Sequence, residues 1–337
     1  MPSTRDSPPV SRIVVLGAGA WGTALANVAA SPGRTVALWS RNPDHAADMA
    51  GQRENRRSLP GVRLEDGVEP TSALDCLRDA EMALLAVPAQ HLRATLDGLP
   101  PLPEGIPLVL CAKGIEAGSG LLMSDVLARC RPGHPAVALS GPSFAADVGR
   151  GSPTAVTVAA RDGGLARRIA GDLARPQFRL YFTDDLRGVE IGGAAKNVLA
   201  IASGIAAGLD LGASASAALI ARGFAELARF GRAMGARPET LMGLSGLGDL
   251  VLTCSSSRSR NFALGRALGG GASLTEASAG RLAEGPATAP ILCGLARRHG
   301  VEMPIADSVA AILTGATTPR DALEALLSRP SRAESDA

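Results

Sequence analysis

Short apolar runs alternate with stretches of helical spacing through the first half of this chain. The runs are rich in β-branched residues and predict strands at residues 12–16, 35–39, 82–87, 108–111, 136–139, 154–159 and 178–183. Between them, at residues 21–30, 90–96 and 121–130, apolar positions recur with the period of a helix. Such alternation predicts a parallel sheet covered by helices on both faces.

The pattern changes after Asp185, where long stretches rich in Ala, Leu and Gly keep a helical period without a convincing strand. These stretches are residues 189–208, 214–235, 238–252, 260–268, 275–283, 288–299 and 305–314. We therefore expect two domains, at residues 11–185 and 186–327. The least polar part, residues 191–220, still carries Lys196 and Asp210, which favours a buried helix pair over a membrane span.

Composition argues against several classes of function. The net charge is +2 with both signs interspersed, so neither nucleic acid nor an anionic membrane is an expected partner. Five scattered cysteines suit a reduced cytoplasmic protein, and four isolated histidines predict no metal site. The N-terminal segment lacks the apolar core of a signal peptide, which also favours the cytoplasm.

A glycine-rich turn, G-A-G-A-W-G at residues 17–22, follows the first predicted strand and precedes a predicted helix. In that context the pattern predicts a dinucleotide site: Gly17 allows the tight turn, Gly19 lets a pyrophosphate approach, and Gly22 lets helix and strand pack closely. The phosphates would lie at the helix N-terminus. The predicted fold class is therefore α/β, with an N-terminal Rossmann-like dinucleotide-binding domain followed by an all-α C-terminal substrate domain.

Arg41 follows the second predicted strand, where an NAD-selective site usually carries Asp or Glu for the ribose 2′-hydroxyl. The next acid is Asp44. A guanidinium suits a 2′-phosphate, so the sequence favours NADPH while leaving NADH possible. The alternative is a surface arginine that stacks on the adenine and tolerates either cofactor.

The chain has 34 basic side chains, and only Lys113 and Lys196 are lysines. Because lysine can lose its proton and arginine stays charged, these two positions are candidates for chemistry. Asp249 stands in the apolar, glycine-flanked run G-L-G-D-L-V-L-T. A buried carboxylate needs a partner, and we expect Lys196 to provide it, with Lys113 across the cleft.

A basic segment, S-R-S-R-N at residues 257–261, precedes a predicted helix that begins at Phe262. Two arginines with Ser and Asn at a helix start make a suitable phosphate site. The alternative is a basic cap on the protein surface.

Together these segments resemble the bacterial NAD(P)-dependent sn-glycerol-3-phosphate dehydrogenases. The matching stretches are G-A-G-A-W-G-T-A-L-A at 17–26, L-P-G-V at 59–62, V-P-A-Q at 87–90, K-G-I-E at 113–116, S-G-P-S-F-A at 140–145, E-I-G-G-A-A-K-N-V at 190–198, P-E-T-L-M-G-L-S-G-L-G-D-L-V-L-T-C at 238–254, S-R-N at 259–261, A-E-G at 283–285 and V-E-M-P-I at 301–305. Two departures are Gly212-Ala213-Ser214, where the family commonly has an acidic-Asn pair, and Ala20, where it usually has a bulkier residue.

The resemblance implies reduction of dihydroxyacetone phosphate to sn-glycerol 3-phosphate for glycerophospholipid synthesis, with Lys196 as the proton donor and acceptor. Residues that fall on the family's substrate contacts are Lys113, Gly141, Ser143, Asp249, Ser259, Arg260 and Asn261. Residues that fall on its cofactor contacts are Ala20, Trp21, Arg41, Lys113, Ala145, Arg260, Leu282 and Glu284. A homodimer is also implied.

Two alternatives remain open from the sequence. A β-hydroxyacid dehydrogenase-like reductase would share both halves and a lysine early in the second domain, but its lysine is typically followed by Asn four residues later. Here Asn197 follows Lys196 at once, and position 200 is Ala200. A catalytically silent NADPH-binding sensor is the alternative from another class.

Overall fold

A computed structural model describes residues 11–30, 33–278, 283–330 and 333. Its contacts divide the described chain into two compact units. The first runs through Ala112 and adds Ser124–Leu139 and Ser143–Asp184; the second takes Lys113–Met123, Ser140–Pro142 and the residues from Asp185 onward. The domain ranges 11–185 and 186–327 stay a prediction. The two units differ from these ranges because two short segments that follow strands, residues 113–123 and 140–142, belong to the second unit.

The first unit is built on an eight-stranded sheet whose strands are joined by helices. The strands are β1 (Arg12–Leu16), β2 (Thr35–Trp39), β3 (Val68–Thr71), β4 (Met82–Leu85), β5 (Leu108–Leu110), β6 (Ala136–Ser140), β7 (Thr154–Ala160) and β8 (Phe178–Thr183). The helices are α1 (Ala20–Ala29), α2 (Pro43–Gln52), α3 (Leu92–Asp97), α4 (Met123–Cys130), α5 (Ala145–Gly149) and α6 (Gly163–Leu173), with 3₁₀ turns at Leu74–Leu77 and Ala89–His91.

The strand order is β3-β2-β1-β4-β5-β6-β7-β8, and the pairs β3–β2, β2–β1, β1–β4, β4–β5, β5–β6 and β7–β8 are parallel. Chain order reverses between β1 and β4, which is the feature of a doubly wound sheet that creates a crevice at the strand ends. The glycine-rich turn follows β1 at that position. The α/β, Rossmann-like prediction for this half is confirmed.

The edge strand β3 is absent from the sequence prediction. Its sequence, V-E-P-T, is short, carries a charge and includes Pro70. Proline is tolerated at a sheet edge because no ladder hydrogen bond need be donated there. An edge strand can therefore lack the apolar run that identified the other seven strands.

From Asp185 onward, the described residues of the second unit form helices joined by turns and loops, as the sequence predicted. Its helices are α7 (Leu186–Gly208), α8 (Gly212–Ala233), α9 (Pro238–Met242), α10 (Asp249–Cys254), α11 (Arg260–Gly269), α12 (Leu274–Ser278), α13 (Gly285–Arg298), α14 (Pro304–Leu313) and α15 (Pro319–Leu327). The single stretch expected at residues 238–252 is broken into α9, a π-helical turn at Leu244–Gly248, and α10. The break falls in a segment with three glycines, which weaken a regular helix.

The central helix α7 packs against α11 through glycines on both helices. A Cβ placed on Gly204 or Gly208 would overlap backbone atoms of α11, and one placed on Gly265 or Gly269 would overlap backbone atoms of α7. Two helix backbones therefore meet without intervening side chains. Helix α7 is long and apolar enough to cross a membrane, but 89% of its apolar window is buried inside the protein.

Candidate functional site

The glycine-rich turn of the first unit has the geometry that a dinucleotide requires. Gly17 has φ of +112°, and a Cβ there would lie 2.8 Å from the carbonyl oxygen of Ala86. A Cβ on Gly22 would overlap the carbonyl oxygen of Gly17, whereas one on Gly19 would meet nothing within 4 Å. Open space at Gly19, next to the first free N–H groups of α1, fits the approach of a phosphate.

Other residues predicted to bind the cofactor gather near the start of α1. Ala145 begins α5, which packs against α1, and it lies with Ala20 and Trp21 on the margin of the same apolar core. The indole Nε1 of Trp21 is buried and has no hydrogen-bond partner in the described part of the chain. A buried donor of that kind is costly unless a ligand satisfies it. Ser143 also belongs to this unit.

Arg41 stands two residues beyond the end of β2, is exposed, and has no hydrogen-bond or ion-pair partner among the described residues. The neighbouring Asn42 caps α2 by accepting a hydrogen bond from the backbone N–H of His45 at 3.1 Å. Arg41 is therefore available to an external anion at the strand end where a cofactor's ribose is usually bound.

Asn55 is a supporting residue that the sequence interpretation missed. Its side chain is fully buried, and its Nδ2 donates to the carbonyl oxygen of Ala18 at 2.9 Å and to Thr23 Oγ1 at 2.7 Å. Its Oδ1 accepts from the Ser58 N–H at 3.1 Å and lies 3.0 Å from His45 Nε2. Asn55 thus ties the glycine-rich turn to α1 and α2.

In the second unit both lysines contact one carboxylate. Lys196 Nζ donates to Asp249 Oδ1 at 2.9 Å, and Lys113 Nζ donates to Asp249 Oδ2 at 2.7 Å. Lys113 Nζ also donates to the Gly141 carbonyl oxygen at 3.0 Å. The expected pairing of Asp249 with Lys196 is found. The expectation that Lys113 would stand apart is wrong, because Asp249 has an oxygen for each ammonium.

Thr253 completes this cluster and was also missed. It lies one helical turn after Asp249, and its Oγ1 accepts a hydrogen bond from Lys196 at 2.8 Å and donates to Asp249 Oδ1 at 3.2 Å. The i, i+4 spacing from Asp249 on α10 is the sequence signal that could have identified it.

Burial and mutual charge set the protonation behaviour of the cluster. Asp249 is 1% exposed and Lys196 is 7% exposed. Burial lowers the pKa of Lys196, an effect that Asp249 opposes and Lys113 reinforces. Burial raises the pKa of Asp249, but the two lysines outweigh it and hold that pKa below its ordinary value. The cluster therefore contains an ionised carboxylate beside an ammonium that gives up its proton more readily than usual.

Small residues make room for the cluster. A Cβ on Gly193 of α7 would lie 2.9 Å from Ser140 Oγ and 3.3 Å from Lys113 Cγ. The Ser140 hydroxyl is itself buried without a hydrogen-bond partner in the described part of the chain. Gly141 has φ of +146°, a conformation open to glycine, and this turn presents its carbonyl to Lys113.

The residues of the segment predicted to bind phosphate, 257–261, differ in their contacts. Ser259 caps α11 by accepting a hydrogen bond from the Phe262 N–H at 3.3 Å, and Arg260 is exposed without a hydrogen-bond or ion-pair partner among the described residues. Asn261 is buried, donates to Asn197 Oδ1 at 2.9 Å, and accepts from the Gly285 N–H at 3.0 Å. Its amide is thus used inside the protein.

Asn197 extends this chain of hydrogen bonds from Gly285 and Asn261 to the lysine cluster, since its Nδ2 donates to the Lys113 carbonyl oxygen at 3.1 Å. We call this chain the brace. Glu284, another residue predicted to bind the cofactor, immediately precedes α13 and is half-buried. Leu282, predicted to bind the cofactor as well, lies outside the described residues. The described residues contain no group of three or more His, Cys, Asp or Glu side chains able to hold a metal ion.

Sequence comparison identifies the family. The profile of the NAD-dependent glycerol-3-phosphate dehydrogenase N-terminus matches residues 12–166, and that of the C-terminus matches residues 185–324. The chain belongs to the NAD-dependent glycerol-3-phosphate dehydrogenase family. Glycerol-3-phosphate dehydrogenase (NAD(P)+) of Azorhizobium caulinodans is 58% identical over 324 residues, covering 96% of this chain and 98% of that protein. The Methylobacterium radiotolerans protein of the same name is 58% identical over 326 residues.

Solved structures agree with this assignment. Glycerol-3-phosphate dehydrogenase from Coxiella burnetii matches with a TM-score of 0.90 and 38% identity, covering 96% of this chain and all of that one. A ketopantoate reductase from Ralstonia eutropha matches with a TM-score of 0.60 at 15% identity, which shows a shared fold alone. The alternative of a β-hydroxyacid dehydrogenase-like reductase is not favoured by these matches.

Proposed function

We propose that this protein reduces dihydroxyacetone phosphate to sn-glycerol 3-phosphate with NADPH or NADH, a reversible hydride transfer that provides the glycerol backbone of glycerophospholipids. Membership of the glycerol-3-phosphate dehydrogenase family supports the reaction. The observation that carries the proposal is the cluster in which Lys113 and Lys196 contact the two oxygens of Asp249.

Lys196 is proposed as the catalytic residue. A bound reduced nicotinamide would supply a hydride to the ketone carbon, and the negative charge that this places on the carbonyl oxygen would have to be neutralised. Lys196 stabilises that oxygen as an ammonium and hands it a proton, which its lowered pKa favours. Asp249 and Thr253 hold the Lys196 Nζ in place through hydrogen bonds of 2.9 and 2.8 Å.

Substrate binding is proposed for Lys113, Gly141, Ser143, Lys196, Asp249, Ser259, Arg260 and Asn261. Arg260 is the residue best suited to the phosphate, because it is an exposed cation at the first turn of α11, where backbone N–H groups also favour an anion. Asn261 would act through its position in the brace from Lys113 to Gly285 rather than through a free amide.

Cofactor binding is proposed for Gly17, Gly19, Ala20, Trp21, Gly22, Arg41, Lys113, Ala145, Arg260, Leu282 and Glu284. The open space at Gly19 and the unsatisfied indole N–H of Trp21 are the structural features that fit a bound dinucleotide. An exposed Arg41 in place of an acid supports a preference for NADPH over NADH.

Further features are proposed at the level of the whole protein. Residues 11–185 would bind the cofactor and residues 186–327 the substrate, the active form would be a homodimer, and the location would be the cytoplasm. The partners would be small molecules, without nucleic acid and without membrane insertion. Burial of most of α7 within the second unit supports the last point.

The test is turnover by the purified protein. NADPH oxidation is followed with dihydroxyacetone phosphate, with dihydroxyacetone, and with a β-keto acid. We expect rapid turnover with the phosphorylated ketone, little with the unphosphorylated one because the phosphate contacts are lost, and none with the acid. Absence of turnover with dihydroxyacetone phosphate would overturn the proposal, and turnover with the keto acid instead would restore the alternative.

A further inference from the structure

A concave site separate from the lysine cluster lies within the helical unit. It is a cavity of about 660 Å³ whose walls come from α7, α8, α14 and α15. A volume of that size is in the range of roughly 300–1,000 Å³ typical of small-molecule sites. The residues of the lysine cluster are not part of its lining.

The walls of the cavity are predominantly aliphatic. Helix α8 contributes Ala215 and Leu219, which are four residues apart and therefore lie on one face of the helix. Ile205 of α7, Val309 of α14 and Leu323 of α15 face the same space. These aliphatic side chains favour an alkyl chain over a sugar or a nucleotide, because they offer no hydrogen bonds.

Charged groups stand on the same face of α8 as the aliphatic wall. Arg222 and Arg229 line the cavity with Glu226 between them. The two oxygens of Glu226 accept hydrogen bonds from the Ile305 and Ala306 N–H groups, at 2.7 and 3.2 Å. Burial raises the pKa of Glu226 to about 7, so its negative charge is incomplete near neutral pH.

Among the described residues, the remaining charges leave one cation, Arg222, without a counterion. Arg329 pairs with Glu302 at 3.0 Å, and Arg229 donates to the Glu302 carbonyl oxygen at 3.3 Å. Arg222 has no hydrogen-bond or ion-pair partner in the part of the chain that the structure describes, and its charged neighbour Arg229 repels it. A half-buried arginine at an aliphatic cavity is stabilised by an anion that brings its own apolar body.

We propose that this cavity binds an amphipathic anion: a single alkyl chain along the aliphatic wall, with a carboxylate or phosphate head group on Arg222. The proposal is independent of the reaction assigned to the lysine cluster. It rests on the aliphatic lining, the volume and the unpaired cation.

Binding is measured by isothermal titration calorimetry of the full-length protein with decanoate, dodecanoate, tetradecanoate and dodecyl phosphate, each below its aggregation concentration. Dodecanol is the neutral control. We expect the anions to bind more tightly than dodecanol, and the Kd to fall by up to about 15-fold for each two added methylene groups until the cavity is filled. A preference for either head group identifies the source of the anion. Absence of binding by all four anions overturns the proposal.

Three variants test the location. Leu219→Trp fills the cavity and should abolish binding; Ala215→Phe serves the same purpose if the first variant does not fold. Arg222→Glu should weaken dodecanoate at least about 10-fold. Arg232→Glu makes the same charge change on an exposed residue of α8 outside the lining and should have no effect.

Two outcomes would contradict this assignment. Equal dodecanoate affinity in Arg222→Glu and Arg232→Glu would show that the head group does not contact Arg222. If Leu219→Trp turned a dimer into a monomer in sedimentation velocity, with dodecanoate affinity unchanged, the cavity would be an interface between two copies of the chain.

Discussion

The two units build their cores from different residues. In the first, the central strand β1 buries Ile13, Val14, Val15 and Leu16 completely, and large aliphatic side chains fill the space beside the sheet. In the second, α7 meets α11 through opposed glycines, so that backbone touches backbone. The comparison teaches that apolar periodicity predicts a core that is filled by side chains. A close contact between two helix backbones is predicted instead by the positions of glycines.

The same difference extends to the functional residues. The glycine-rich turn of the first unit is supported by a side chain, the buried amide of Asn55. In the second unit the lysine cluster depends on missing side chains, since a Cβ on Gly193 would press on Ser140 and Lys113. Adding atoms at the α7–α11 contact should therefore harm the second unit, and removing the hydrogen bonds of Asn55 should harm the glycine-rich turn of the first.

The largest effect is expected for Lys196→Arg. This change keeps the charge, but a guanidinium gives up no proton at ordinary pH and is bulkier than the buried ammonium that it would replace beside Asp249 and Thr253. We expect kcat to fall by about 10³-fold or more, approaching that of Lys196→Ala, while NADPH still binds. Steady-state kinetics and fluorescence titration with NADPH measure the two properties.

Lys113→Arg is the matched control, because Lys113 holds charge and position without a proposed proton transfer, and its loss of kcat should be smaller. Circular dichroism checks that both variants fold. If Lys196→Arg kept near-normal kcat, proton transfer by this residue would be excluded and its role reduced to fixed charge.

Much of the fold could be predicted because its elements bury whole apolar faces. Strand β1 follows from its run of aliphatic residues, and the change from strands to helices follows from the change in apolar period after Asp185. The edge strand β3 could not, since Pro70 and a glutamate leave it no apolar run. The division of residues 238–252 also escaped prediction, because three glycines permit several backbone paths and tertiary contacts choose among them.

The second-largest effect is expected for Gly265→Ala. The new methyl group would overlap the carbonyl oxygen of Ile201 on α7, so the helices must separate. We expect a loss of about 3 kcal/mol or more in the free energy of unfolding. Denaturant titration followed by circular dichroism measures it, with separate transitions fitted if the two units unfold separately.

Gly294→Ala is the control for this change. Gly294 also lies within a helix, α13, but a Cβ there would meet nothing within 4 Å. Its replacement should raise stability by about 0.5–1 kcal/mol, since alanine favours helix. Similar free energies of unfolding for the two variants would mean that the backbones of α7 and α11 are not in close contact at Gly265.

Some residues of the candidate site could be predicted from the sequence, and others could not. The glycine-rich turn, Arg41, the two lysines and Asp249 could be singled out because each is an unusual residue in its local sequence. Asn55 could not, since Asn is common and only the folded chain brings it to Ala18. Thr253 had one signal, its i, i+4 spacing from Asp249, but only the folded chain shows its contact with Lys196. Sequence therefore predicts the residues that do chemistry better than those that position them.

A smaller effect is expected for Asn55→Asp. The new carboxylate loses the donation to Ala18 and Thr23 and places negative charge behind the turn proposed to bind phosphate. We expect the KM for NADPH to rise by about 10-fold, with kcat at saturation little changed. Asn27→Asp is the control: Asn27 also bridges loop backbone, donating to Arg63 at 2.8 Å, but does not contact the turn. Equal KM values for the two variants would remove Asn55 from cofactor positioning.

The substitution with the smallest expected effect on the fold is one that shifts cofactor choice. Arg41 is exposed and has no hydrogen-bond or ion-pair partner in the described part of the chain, so Arg41→Asp should leave stability nearly unchanged, unlike Gly265→Ala. It removes a pairing partner of the 2′-phosphate and adds repulsion, so kcat/KM with NADPH should fall about 10-fold or more while that with NADH falls less. Arg167→Asp, an exposed substitution of equal charge on α6, controls for net charge. Equal losses with both cofactors would instead mean that Arg41 stacks on the adenine, a contact indifferent to the phosphate.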